Sequence, residues 1–154
     1  MTTAEKILSE KSGGIIGVAP EATVSEALTR MAAHKVGAIV VLEGGTPIGI
    51  WTARDLMHNI LLPGFAPQED PIGKYMQTHL KTALHTATAY EMMDKFLGLR
   101  VNHLLIEKDG RTIGLLSSGD VMKALIQEKT EELKSLKSMV SWEYYEEWRW
   151  KRPK

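Results

Sequence analysis

Two short stretches carry the side chains best placed to do chemistry. In GIWTARD, Gly49 to Asp55, an apolar run ends in the hydroxyl of Thr52, with the carboxylate of Asp55 three residues on; in GLLSSGD, Gly114 to Asp120, Ser117 and Asp120 repeat that spacing. A hydroxyl donates and accepts, and an ionised carboxylate accepts only, so the pair offers hydrogen bonding rather than covalent chemistry. The same residues at a strand-to-helix junction are also ordinary N-caps.

Other chemistries find no support. His34, His58, His79, His85 and His103 lack the spacing of a metal site. Gly13, Gly14 and Gly17 form neither a phosphate-binding loop ending in Lys-Ser/Thr nor a dinucleotide fingerprint. Ser117 to Gly119 is not a nucleophile elbow, and no Ser, His, Asp set accompanies it. With no cysteine, disulfides, thiolate zinc sites and cysteine nucleophiles are excluded. The expectation is no catalytic residue, no metal and no catalytic cofactor.

Nineteen basic and nineteen acidic residues cancel, which argues against broad capture of nucleic acid but leaves local basic sites open. The opening MTTAEKILSEKSGG contains no apolar run of the length a signal peptide or membrane span needs. A soluble, cytoplasmic chain is therefore expected, with no membrane or nucleic-acid partner. An apolar share of 44% and a charged share of 25% are those of a globular protein, and 154 residues suffice for one domain or two small ones.

The elements that must position the two stretches also occur twice. Sliding the chain by 65 positions lays Pro20–Leu61 over His85–Ile126 without a gap, with identities that include Thr23/Thr88, Glu26/Glu91, Gly45/Gly110, Gly49/Gly114 and Asp55/Asp120. ATVSEALTRMAAH and its counterpart ATAYEMMDKFLG read as capped amphipathic helices. GAIVVLEGGTPIGIW and NHLLIEKDGRTIGLL read as hairpins around Gly44-Gly45 and Asp109-Gly110. Thr52 and Ser117 then open a second helix. The unit is β-α-β-β-α, an α+β fold, and the Pro- and Gly-rich PGFAPQEDPIGKYMQ separates the copies. The expected division is an N-terminal segment 1–12, repeats at 13–70 and 71–128, and a C-terminal helical extension at 129–154.

On these signatures, with the short strands IIGVAP and LKTALH and the runs VGAIVV and VNHLLI, the sequence resembles a tandem pair of cystathionine-β-synthase (CBS) domains over roughly 12–128. The resemblance implies two units about a pseudo-two-fold axis with clefts for adenosine compounds. It implies that Asp55 and Asp120 bond the ribose hydroxyls and that Thr52 and Ser117 touch ribose or phosphate. Carboxylate acceptance from a cis-diol fits that role. It implies adenine against Ile16, Val36, Gly37 and Ala38 in the first copy and Lys81, Val101, Asn102 and His103 in the second. Phosphate contacts fall on Arg54, Asn102 and His103, with Lys35 and Arg100 near.

The copies differ where it matters: Arg54 faces Gly119, Gly37-Ala38 faces Asn102-His103, and Ile16 faces Lys81. The two clefts are therefore expected to be inequivalent, with the ligand's phosphates on the Arg54 side. Lys81 and Arg54 also read as solvated surface charges, and His103 as a surface or partly buried histidine.

After Asp120 no glycine or proline occurs until Pro153, and Leu125, Leu133, Leu136 and Val140 trace an apolar stripe. Trp142, Tyr144, Tyr145, Trp148 and Trp150 crowd the end, a composition suited to an interface. The function expected is a regulatory, homodimeric sensor of AMP, ADP, ATP or an S-adenosylmethionine-like ligand, acting through its dimer or a regulated protein partner. The alternative is an interaction adaptor docking through the aromatic tail.

Overall fold

The computed structural model describes the backbone of residues 1–11 and 13–151, and side chains as far as 139 apart from residue 12. Thr23 and Thr88 open α2 (Val24–His34) and α4 (Ala89–Leu99). Each hydroxyl accepts from the amide of Glu26 or Glu91, whose carboxylate takes the threonine N–H in return, at 3.0 and 2.9 Å. These reciprocal bonds satisfy two of the donors that a helix start leaves unpaired. Both helices end on a basic residue in the left-handed region, Lys35 and Arg100, each at φ 54°.

The hairpins follow. β2 (Ala38–Glu43) and β3 (Thr46–Thr52) turn through Gly44-Gly45, at φ 57° and 81°. β5 (His103–Lys108) and β6 (Arg111–Ser117) turn through Asp109-Gly110, at φ 51° and 73°. Positive φ at both central residues matches the twist of the flanking strands, which is why such dipeptides signal a hairpin. β1 (Gly17–Val18) and β4 (Thr82–Leu84) add in parallel, giving two three-stranded sheets of order β1-β2-β3 and β4-β5-β6. A register shift between Val41 and Leu42 recurs between Ile106 and Glu107. α3 (Ala53–Asn59) and α5 (Ser118–Lys151) leave the ends of the hairpins.

Each sheet carries its own core. Val24, Ala27, Ile39, Val41 and Trp51 form one; Ala89, Met92, Leu104, Ile106 and Leu116 form the other. Neither closes by itself. The short helix α1 (Ala4–Glu10) brings Ala4 and Ile7 into the second copy's core, while a 3-10 turn at Ile72–Lys74, ahead of β4, brings Ile72 into the first. The straps are equivalent. Thr3 bridges Thr88 as Pro71 bridges Thr23, and the Ala4 and Ile72 N–H groups donate to the Ala87 and Ala22 carbonyls at 2.8 and 2.7 Å. Glu5 anchors α1 further through Lys108 and through His85 Nδ1 at 3.0 Å.

Gly49 and Gly114 make room for the straps. A Cβ on Gly114 would meet Leu8 Cδ2 at 2.5 Å, and one on Gly49 would meet Met76 Cγ at 2.7 Å. The first residue of each signature is thus a packing requirement of the strap above it.

α5 is continuous for 34 residues, as the absence of glycine and proline predicts. Val121, Ala124 and Leu125 pack on the second core, but Leu133, Leu136 and Met139 are more than half exposed. The side chains of Val140 and of the aromatic cluster from Trp142 to Trp150 lie outside the described residues. Among the described residues no helix is long and apolar enough to cross a membrane, and no His/Asp/Glu cluster has the geometry to hold a metal.

Candidate functional site

The second signature sits where β6 becomes α5. The Asp120 N–H donates to Ser117 Oγ at 3.0 Å, and Asp120 Oδ2 accepts the Ser117 N–H at 2.8 Å. The N-cap role is therefore realised, and it fixes the carboxylate at the lip of a cleft. The same Oδ2 accepts from Lys11 Nζ at 2.8 Å, and that ammonium also donates to the Leu115 carbonyl at 3.1 Å. Partial burial works to raise the Asp120 pKa, but the Lys11 ammonium and the Ser117 hydrogen bonds outweigh it and hold the carboxyl below its ordinary value. His103, paired with Ser117 across the hairpin, is shifted the other way: burial first, and then the charge of Lys11, lower its pKa against the pull of Asp120. Its imidazole is neutral at pH 7.

The opposite wall comes from the first copy. Ile16, Val36, Gly37 and Ala38 line, together with His103, Ser117 and Asp120, a cleft of about 580 Å³ to which Leu8, Lys11, Gly13 and Gly14 also contribute. A volume in the range of roughly 300–1,000 Å³ suits a nucleotide-sized ligand. The apolar wall offers a face for a flat base, and the carboxylate offers acceptors for hydroxyls. Lys11 and Lys35 make the lining basic, with Asp120 its one carboxylate.

The sequence-derived residues thus divide. Seven meet in this cleft: Ile16, Val36, Gly37, Ala38, His103, Ser117 and Asp120. The rest do not line it. Thr52 and Asp55 form the corresponding cap, with Asp55 Oδ2 accepting the Thr52 N–H at 2.9 Å, but Asp55 Oδ1 is taken by the Gln77 side-chain amide at 2.6 Å. Arg54 and Lys81 are exposed outside the cleft. Val101 and Asn102 border a separate depression beside Ser118 and Gly119. The cleft draws its apolar wall from one copy and its signature from the other, so the ammonium groups in its lining are Lys11 and Lys35, and Arg54 is not among them.

Among the lining residues outside the sequence-derived set, Lys11 and the Gly13-Gly14 pair come from the N-terminal strap and its exit. Their strap falls outside the repeat register, and only Lys6/Lys74 is identical between the two straps when Leu8 is set on Met76. The available signal was the apolar set Ala4, Ile7 and Leu8, at one-face helical spacing in a mostly polar N-terminal segment.

The CBS domain family model matches residues 12–62 and again 72–127. The chain belongs to the CBS domain family. This CBS pair is 29% identical over 152 residues to CBSX3 of Arabidopsis thaliana, a CBS domain-containing protein described as mitochondrial, covering 93% of this chain and 74% of that one. The crystal structure of a CBS-domain containing protein from Agrobacterium tumefaciens superposes with a TM-score of 0.75 at 32% identity, over 80% of this chain and 98% of that one. The CBS domain protein of Pyrobaculum aerophilum complexed with AMP shares the fold, with a TM-score of 0.67 at 19% identity, over 77% and 89% of the two chains. CBS pairs are regulatory modules, and the α+β architecture expected from the repeat is the one observed.

Proposed function

We propose that this CBS pair is a regulatory sensor of an adenosine ligand, with AMP, ADP, ATP or an S-adenosylmethionine-like compound as candidates, and that it performs no catalysis of its own. The observation that carries this reading is the convergence, in one cleft, of an apolar wall from the first copy with the Ser117 and Asp120 pair of the second. The base lies against Ile16, Val36, Gly37 and Ala38. Asp120 accepts the ribose hydroxyls, and Ser117 and His103 face the remainder of the ligand. AMP in the Pyrobaculum protein of the same fold supports the ligand class.

By pseudo-symmetry, Lys81, Val101 and Asn102 would form the base-facing wall of a second site whose signature is Thr52, Arg54 and Asp55. Gln77 on Asp55 makes that site the weaker of the two. The protein acts as a homodimer in the cytoplasm, and ligand binding changes that dimer or its contact with a regulated protein. Isothermal titration with AMP, ADP, ATP and S-adenosylmethionine tests the reading. Binding of none of them, or binding unchanged in Asp120→Ala, would overturn it.

The adaptor reading retains one observation in its favour, the exposed Leu133, Leu136 and Met139 on a helix that continues past the second core. Truncation from Ser141 and the longer truncation from Leu133 separate the two: an adaptor loses its partner in one or both, whereas a sensor keeps its ligand.

A further inference from the structure

Lys11 belongs to neither signature, yet its ammonium sits on the carboxylate assigned to the ribose. It bonds Asp120 Oδ2, the oxygen that also takes the Ser117 N–H, and its second bond is to a backbone carbonyl, Leu115 O. Both of these donors, the ammonium and the Ser117 N–H, use Oδ2, so ribose hydroxyls bound at Oδ1 would share one carboxylate with the ammonium and weaken its hold. The ammonium, about one-third exposed, then keeps the Leu115 carbonyl and water as neutral acceptors; among the described residues the cleft lining contains no second carboxylate, and Glu10 lines only the adjoining depression.

The surroundings permit such a movement. Lys11 follows the last residue of α1, and nothing approaches within 4 Å of where a Cβ would stand on Gly13 or Gly14 just beyond. His103, held neutral, does not offer an anion a competing charge at pH 7. The other signature is different in kind: Asp55 is held by the neutral amide of Gln77, whose release creates no charge to be satisfied.

Resting on the reading of the cleft as an adenosine site, we propose that Lys11 is a displaceable gate that selects phosphorylated ligands. Ribose hydroxyls on Asp120 release the ammonium, and the ammonium then pairs with the ligand's phosphate. An anionic ligand leaves both charges compensated. A neutral nucleoside offers the ammonium no anion in exchange, and a sulfonium cation is repelled by it. The gate thereby sets AMP above adenosine and above S-adenosylmethionine in this cleft.

The test is titration of AMP, adenosine and S-adenosylmethionine into the wild type, Lys11→Gln and Lys11→Arg. Wild type is expected to prefer AMP. Lys11→Gln should lose about tenfold in AMP affinity, the scale of a charge-assisted hydrogen bond, while its adenosine affinity stays level or rises. Lys11→Arg should keep the preference. Because the AMP-to-adenosine ratio is read within one preparation, a partly unfolded variant does not distort it. A ratio in Lys11→Gln equal to that of wild type overturns the gate while the cleft reading stands; a wild type that binds none of the three, nor ADP or ATP, removes both.

Discussion

Leu8 and Met76 occupy equivalent seats, Leu8 over Gly114 of the second sheet and Met76 over Gly49 of the first. Each lies on a strap that precedes one sheet in sequence and closes the core of the other. The fit is testable as a pair. Gly114→Val should destabilise the protein by about 1–3 kcal/mol through overpacking against Leu8, and Leu8→Ala in the same chain should recover part of that loss. Thermal or urea unfolding of the two single variants and the double variant closes the cycle. A double variant equal to the sum of the singles would show that the two residues do not share the space.

Acid should loosen the N-terminal strap before the rest. Glu5 is held below its ordinary pKa by hydrogen bonds to Lys108 and His85, and Asp120 is held low despite partial burial, which opposes the shift, by Lys11 and Ser117. A carboxylate with a depressed folded-state pKa contributes stability that is fully present above its unfolded pKa and is lost as pH falls through the folded value. The window here opens below about pH 4. Amide hydrogen exchange should show residues 4–11 losing protection there ahead of α2, and Glu5→Gln should bring that loss to neutral pH. Uniform loss across both copies would contradict the assignment.

The two signature aspartates should not be equal. Asp120→Ala is expected to weaken AMP binding by about tenfold or more, as befits removal of a charged acceptor. Asp55→Ala should leave binding in the cleft nearly unchanged and cost about 1 kcal/mol of stability through loss of its cap. Calorimetric titration beside thermal unfolding separates the effects, and equal loss of AMP from both variants would show that the cleft is not where the ligand binds.

The exposed stripe of α5 makes a statement about mass. If Leu133 and Leu136 lie between two copies, Leu133→Glu with Leu136→Glu should convert a dimer to a monomer in sedimentation or light scattering, with the titration by AMP retained. A mass that does not change assigns the dimer contact to another surface.

The repeat made most of the fold legible from sequence. The capping boxes at Thr23 and Thr88, both hairpin turns and the unbroken α5 rest on local chemistry, and local chemistry is written in adjacent residues. Pairing of the first copy's wall with the second copy's signature is non-local, and no spacing within a repeat encodes it. Lys11 was hidden for a related reason. A lysine in a polar segment is indistinguishable from solvated charge until the chain path brings it to Asp120, and the strap that does so shares almost no identities with its twin. Arg54 shows the converse: a basic residue inside a signature drew attention by position, and the fold leaves it outside the cleft.

Ser117 and Asp120 form the cap at one end of a helix of 34 residues. At about 1.5 Å per residue, that helix is a rod of roughly 50 Å. A tilt of about 5° at the cap would sweep the far end through about 4 Å, a displacement comparable to a turn of helix. A tilt of that kind would make the Asp120 cap the fulcrum of a lever, with its greatest travel at the aromatic end of the chain.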